Sequence, residues 1–223
     1  YEVAPRVFSA LGAQVECIGN TPDGTNINAD CGSTHPEGLQ AAVRERGADI
    51  GLAFDGDADR LIAVDEQGRL VDGDRVMAVC ATDMQARGKL AQNTVVGTVM
   101  SNLGLQLYLE KHGMRLEKTA VGDRYVLERM LAEGYNFGGE QSGHVILHDK
   151  NTTGDAMHTA LQLLGVAVRS GKTLGQLADT VEILPQVLEN ARVSEEGRLA
   201  YQADDAVQAE IARTEQALLG KGR

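Results

Sequence analysis

Asp55-Gly56-Asp57-Ala58-Asp59-Arg60 sets three carboxylates at alternate positions with an arginine directly after them. Three like charges within a few ångströms repel one another unless a hard cation sits between them. An all-oxygen donor set takes magnesium or calcium rather than zinc. The chemistry on offer is stabilisation of negative charge on oxygen, with Arg60 as a second positive group beside the metal. A second stretch, Gly138-Gly139-Glu140-Gln141-Ser142-Gly143-His144, places a carboxylate, a hydroxyl and an imidazole among glycines that let backbone approach a ligand closely. Glu140 can accept from two vicinal hydroxyls, Ser142 can give or accept, and His144 can donate or transfer a proton. Sugar hydroxyls are suitable partners for such a loop.

The acidic loop has rival readings. An EF-hand calcium loop wants acids at its positions 1, 3 and 5, glycine at 6, an aliphatic residue at 8 and glutamate at 12. Asp55, Asp57, Asp59, Ile62 and Glu66 match, but Arg60 occupies the glycine position, and residues 50–54 and 61–64 read as strands rather than helices. A haloacid-dehalogenase phosphatase also puts two Asp residues two apart after a strand, yet its companion threonine, lysine and distal acids are not evident. A solvated acidic turn is the plain alternative. Three alternating acids followed by arginine argue against it.

The segments that must position these loops alternate between strand and helix. Residues 14–18 read as a strand, 37–46 as a helix stopped by Gly47, and 49–54 as the strand carrying the acidic loop. A short hairpin follows: 61–65, a Glu66-Gln67-Gly68-Arg69 turn, then 70–71. Helical periodicity covers 74–87, 103–111, 123–133 and 155–169, and strands are predicted at 94–99, 114–121, after Gly134 and at 145–147. The predicted class is α/β, two consecutive βαβ-type domains with mixed, mostly parallel sheets, plus the start of a further α+β domain. Ligands in such folds bind beyond the carboxyl ends of strands. The expected divisions are residues 1–69, 70–184 and 185–223, the last marked by Pro185 and a weakly patterned stretch before an amphipathic helix over 204–219.

The 223 residues, 43% hydrophobic and 24% charged, are those of an ordinary globular chain. A formal charge of -11 argues against nucleic acid and anionic membrane as partners, so positive charge must be local where an anion binds. Arg60 and Arg124 are the first candidates. Cys17, Cys31 and Cys80 are odd in number and lack CxxC spacing, which disfavours a disulfide framework or structural zinc and fits a reducing cytoplasm. No signal peptide or transmembrane run is read. Tyr1 leads straight into a helix over 4–11 ended by Gly12, and the expectation is a fragment of a longer protein.

In chain order, Asp55 to Arg60, Val121-Gly122-Asp123-Arg124-Tyr125 and Gly139 to His144 resemble the signature loops of the α-D-phosphohexomutase family, over nearly the whole chain. Val121 to Val126, Pro22 to Asn28 and Thr152-Thr153-Gly154-Asp155 are most similar to its branch acting on glucosamine phosphates. The resemblance implies four domains around one cleft, with the second (lacking its opening strand), the third and the start of the fourth here. It implies that Asp55, Asp57 and Asp59 hold Mg²⁺ and that Glu140 and Ser142 contact sugar hydroxyls, with Arg124 a further substrate-binding candidate by its charge. Arg60 and His144 would line the transfer site as catalytic groups. The implied reaction moves a phosphoryl group between O6 and O1 of glucosamine through a phosphoserine and a sugar 1,6-bisphosphate. The family's serine setting and its Arg-x-Ser-Gly-Thr loop are not found in these residues, and Ala120 stands where related mutases have lysine. The chain alone is therefore expected to be inactive, with its general base open. A mutase of neutral hexose phosphates, or a non-catalytic module binding Mg²⁺ and a sugar phosphate, are the alternatives. At single residues the plainer readings are a surface pair between Arg124 and Glu128, helix caps at Asp123 and Asp155, and a buried hydrogen-bonded His144.

Overall fold

A computed structural model of the chain describes residues 1–187, 189 and 192–218. Within the unit Tyr1–Ile183 two sheets carry the chemistry-bearing loops. The first has the order β1-β2-β3, from Gly51–Phe54, Leu61–Val64 and Leu70–Val71, all antiparallel. Phe54 pairs with Leu61, so residues 55–60 are the turn of a hairpin. The second sheet has the order β5-β4-β6-β7. Its β4 (Thr94–Thr98) runs parallel to β5 (Arg115–Thr119) and β6 (Phe137–Gly139), whereas β7 (Val145–Leu147) returns antiparallel to β6. This sheet is mixed and mostly parallel, as the α/β alternation predicts.

Residues 14–18 do not form the predicted strand. An extended segment becomes a strand only where a neighbour completes its ladder. Among the described residues no strand pairs with this one, and only Val15 turns into an apolar cluster while its neighbours stay exposed. The first sheet is antiparallel throughout among the described residues, because its strands are joined by hairpin turns rather than by a helical crossover.

Seven α-helices are described in this unit: α1 Val3–Ala10, α2 Glu37–Arg46, α3 Gly73–Ala86, α4 Leu103–Lys111, α5 Asp123–Glu133, α6 Ala156–Ser170 and α7 Leu174–Ala178. Several begin at a side chain that accepts a free first-turn N–H. Asp72 accepts from Arg75 at 3.1 Å, Asn102 from Gly104 at 2.9 Å and Asp155 from His158 at 2.9 Å, while Thr173 and Gln176 form a capping box. In the other unit, Leu184–Arg223, a helix the pattern did not predict, α8 (Glu195–Ala200), starts where Ser194 accepts from Gly197 at 3.1 Å. It is followed by α9 (Asp205–Leu218), and residue 219 of the predicted helix lies outside the described residues.

Strand alternation divides the core. Val95, Phe137, Val145 and Leu147 pack with Met77, Leu105, Leu109 and Leu163 on one face of the second sheet. Val96 and Ile146 turn the other way onto Val126 and Met130 of α5. Helix α6 joins the two sheets, because Ala156 and Ala160 meet Phe8 and Leu61 while Leu163 and Val166 enter the main core. Phe137 is fully buried at the middle of it, and truncation to Ala would cost about 3–5 kcal/mol.

Asp74, in the first turn of α3, is also fully buried. One of its oxygens accepts the Asn102 N–H at 2.7 Å, and the other has no hydrogen-bond partner. Burial pushes its pKa from 3.8 to about 7 and the charge of Asp72 adds to the rise, whereas Asn102, Ser101 and Lys118 pull it down. The fold therefore retains a proton that the unfolded chain releases near pH 4, so this group makes stability fall as pH rises from there to about 7. We expect Asp74→Asn to flatten that slope in urea-unfolding midpoints measured from pH 4 to 7; an unchanged slope would assign it to another group.

Candidate functional site

The loop after β1 and the loop after β6 are zipped together through their backbones. Leu61 N–H donates to Gly143 O at 3.0 Å, and Arg60 and His144 form an antiparallel bridge. Gly143 has φ +98°, and a Cβ there would lie 2.3 Å from Leu61 O, so only glycine permits this approach. The loop before α6 closes the third side: Ala156 N–H donates to Ala58 O at 3.0 Å. A Cβ on Gly154 would come within 2.4 Å of His144 Nε2 and 2.8 Å of Asp59 O.

His144 is 2% exposed and lies at the centre of this seam. Gly154 N–H donates to its Nε2 at 3.3 Å, which makes Nε2 the lone-pair nitrogen of the neutral ring and leaves the proton on Nδ1. The same Nε2 is 3.7 Å from Asp59 Oδ2 and 3.8 Å from Asp123 Oδ2, so a proton received there would be held between two carboxylates. Asp59 titrates above the usual carboxylate range. Burial is the main cause, a hydrogen bond and the charge of Asp55 add to it, and His144 and Arg60 oppose it. Asp59 Oδ1, Arg60 Nε and His144 Nδ1 are buried without hydrogen-bond partners. Unsatisfied polar atoms grouped in this way are what a ligand site presents.

Glu140 is fixed at several atoms. Its Oε1 accepts the Gly122 N–H at 3.0 Å, its N–H donates to His144 O at 2.9 Å, and its carbonyl accepts from Gly143 N–H at 3.0 Å. Ser142 is exposed at the tip of the same loop. Asp57 is exposed at the tip of the 55–60 turn, whose backbone closes through Ala58 N–H to Asp55 O at 3.1 Å. Arg124 pairs with Glu128 at 2.7 Å with 80% of its side chain exposed.

Among the described residues no group of three or more His, Cys, Asp or Glu side chains is gathered so as to hold a metal. Asp55 and Asp59 do approach each other closely enough to hydrogen-bond, and Asp59 Oδ1 is an orphaned oxygen. Hard oxygen donors with one acceptor unsatisfied fit a divalent cation such as Mg²⁺, and Asp57 lies exposed at the tip of the same turn.

Sequence reasoning located Asp59, Arg60, Glu140 and His144, which the fold brings together, and Asp155, whose side chain caps α6. It did not find that Gly122, Asp123 and Gly154 face the same centre. Their signal lay in motifs already noted, Val121 to Tyr125 and Thr152 to Asp155, but a backbone N–H has no residue type to betray it.

Residues 1–68 match the family model for phosphoglucomutase/phosphomannomutase alpha/beta/alpha domain II, and residues 72–183 match that for alpha/beta/alpha domain III. The chain belongs to the phosphoglucomutase/phosphomannomutase family. Curated relatives bear the name phosphoglucosamine mutase: that of Desulforudis audaxviator is 59% identical over 223 residues, all of this chain and 49% of that protein. The Symbiobacterium thermophilum phosphoglucosamine mutase is 55% identical over 223 residues, with the same coverage of 100% and 49%. The chain thus spans about half the length of the curated relatives it matches. Among solved structures, a Burkholderia thailandensis phosphoglucomutase/phosphomannomutase family protein superposes with TM-score 0.72 at 28% identity, covering 81% of this chain and 40% of that one. Aspergillus fumigatus N-acetylphosphoglucosamine mutase, solved with GlcNAc-6P and magnesium, shares the fold with TM-score 0.63 at 22% identity over 82% of this chain and 47% of that one. No described helix is long and apolar enough to cross a membrane.

Replacing Asp55 with Asn removes a neighbouring charge while keeping a hydrogen-bonding group, so the Asp59 midpoint should fall in a carbon-13 carboxyl titration of the Asp55→Asn variant. An unmoved midpoint would exclude the Asp55 charge and leave burial and the retained hydrogen bond as the causes.

Proposed function

We propose that the protein carrying this chain is a phosphoglucosamine mutase, interconverting glucosamine 6-phosphate and glucosamine 1-phosphate through a phosphoserine and a 1,6-bisphosphate. The observation that carries the reading is the backbone zipper between the two motif loops, which puts Asp59, Arg60, His144 and Glu140 at one seam. Relatives at 55% to 59% identity bearing that name support the choice of substrate.

In this reading residues 1–69 form the metal-binding domain, 70–184 the sugar-binding domain, and 185–223 begin a phosphate-binding domain. Asp55, Asp57 and Asp59 would hold Mg²⁺, which when bound stabilises the charge spread over the phosphoryl oxygens. Arg60 adds a fixed positive charge against the same oxygens. His144 moves a proton at Nε2 once the Gly154 N–H gives up the lone pair there: it takes one from the incoming hydroxyl, is stabilised as a cation by Asp59 and Asp123, and returns it to the leaving oxygen. Glu140 accepts from vicinal sugar hydroxyls, with Ser142 beside it at the open end of the loop. A grip on hydroxyls rather than on one phosphate suits a bisphosphate that must be held in two orientations. Arg124 reaches a substrate phosphate only by leaving Glu128, an exposed pair worth a few tenths of a kcal/mol. Sugar phosphate and sugar 1,6-bisphosphate are the partners, and the cysteine usage supports a cytoplasmic location.

The test assays the complete reading frame, phosphorylated and supplied with Mg²⁺ and a sugar bisphosphate, on glucosamine 6-phosphate, mannose 6-phosphate and glucose 6-phosphate. We expect preference for the amino sugar by at least about tenfold in kcat/KM, a difference of about 1.4 kcal/mol in transition-state binding. Preference for a neutral hexose phosphate would replace the substrate and keep the chemistry. Calorimetry with Mg²⁺ should give heats that Asp57→Ala weakens; equal heats in the variant would remove the 55–60 loop as the metal site.

A further inference from the structure

Gly73 is the first residue of α3, with ordinary helical backbone, so no left-handed geometry demands a glycine there. Space does. A Cβ at this position would sit 2.1 Å from Glu140 O, 2.9 Å from Gln141 O and 2.9 Å from Gly143 N, all backbone atoms that cannot swing aside as a side chain can. Its own N–H donates to Gln141 O at 3.0 Å. The preceding Asp72 uses one carboxylate oxygen to cap α3 through Arg75 N–H and the other to accept from Gln141 Nε2 at 3.4 Å. The helix start is thus both capped and pressed against the loop, while Gly122 N–H holds the Glu140 carboxylate.

From this geometry we infer that Gly73 is a positioning residue: the start of α3 is the seat on which the Glu140 to His144 loop is set, and the missing side chain sets the height of Glu140 against its ligand. The inference rests on the sugar-binding reading of that loop. An ordinary contact needs more than 3 Å between Cβ and oxygen, so alanine must lift the Glu140 backbone by about 1 Å, a displacement that can cost about 100-fold in kcat/KM even when made outside the reacting atoms. Because hydroxyl contacts made equally in ground and transition states affect KM rather than kcat, the loss should fall mainly on KM.

The experiment compares Gly73→Ala with Gly38→Ala in the complete reading frame. Gly38 is a helical glycine of α2 where an added methyl group would meet nothing within 4 Å, so it reports the generic effect of alanine in a helix. We expect Gly73→Ala to raise KM for glucosamine 6-phosphate about tenfold or more with kcat within about threefold, and Gly38→Ala to change neither. Amide hydrogen exchange, read without substrate, should be faster at residues 140–144 in Gly73→Ala alone. Unchanged exchange there overturns the seat, and changed exchange with unchanged KM overturns its role in binding. A wild-type protein inactive on every sugar phosphate would instead refute the functional reading, leaving the exchange result to decide the seat. If Gly73→Ala does not fold, Gln141→Ala, which removes the tie to Asp72 without a clash, should raise KM about threefold and speed the same amides. No change in either would overturn the inference.

Discussion

The hydrogen bond from Leu61 N–H to Gly143 O is the contact on which the candidate site depends. It joins the first residue of β2 to the loop after β6, and with the Arg60 to His144 bridge it makes two sheets of different topology share one edge. Everything chemically active hangs from it. The turn carrying Asp55, Asp57 and Asp59 ends at Leu61, and the loop carrying Glu140 and Ser142 ends at His144. A slip of one residue in either strand would turn Arg60 and His144 to the opposite faces. Glycine at 143 is what allows the chains to come so near, since any side chain would collide with Leu61 O.

Around that contact the fold supplies polar atoms without letting them satisfy one another. Asp59, Arg60 and His144 each keep a buried atom with no hydrogen-bond partner, and Asp59 is held towards its protonated form by burial and by Asp55. Such an arrangement is costly in a core that serves only stability. The surrounding packing offsets that cost: α6 is wedged by Ala156 and Ala160 against Leu61 and Phe8, and by Leu163 and Val166 into the main core, so the seam cannot relax without unpacking it. Asp74 is a second instance, a buried carboxyl at the joint of α3 and α4 whose proton the fold retains.

Much of this was legible beforehand for physical reasons that can be named. The helices at 37–46, 103–111 and 123–133 appear with the predicted bounds because apolar spacing, polar starts and the glycines that stop two of them agree locally. The α/β class followed from alternation, and Asp59, Glu140 and His144 stood out because carboxylates and imidazoles in glycine-rich turns are unusual outside sites. The segment 14–18 misled because Val15 and Ile18 resemble a strand, but strandedness belongs to a pair of segments and not to one. Helix α8 escaped because its residues lack apolar periodicity and its start rests on one serine side chain.

The amino-acid sequence by itself determined which chemistry is possible, because side-chain type and short-range spacing specify donors, acceptors and charges: oxygen donors in the turn at 55–60, a carboxylate and an imidazole around Ser142, and family likeness over nearly the whole chain. Only the tertiary structure decided which of those groups meet. Asp59 reaches His144 from a distant part of the chain, while Arg124, inside a motif, settles on Glu128 at the surface. The carboxylate of Glu140 is oriented by a backbone N–H of Gly122 and its carbonyl is crowded by the empty side of Gly73. Backbone donors and absent side chains carry no signature in sequence, since nearly every residue has an N–H and every glycine looks alike; packing across the seam is what gives them a role.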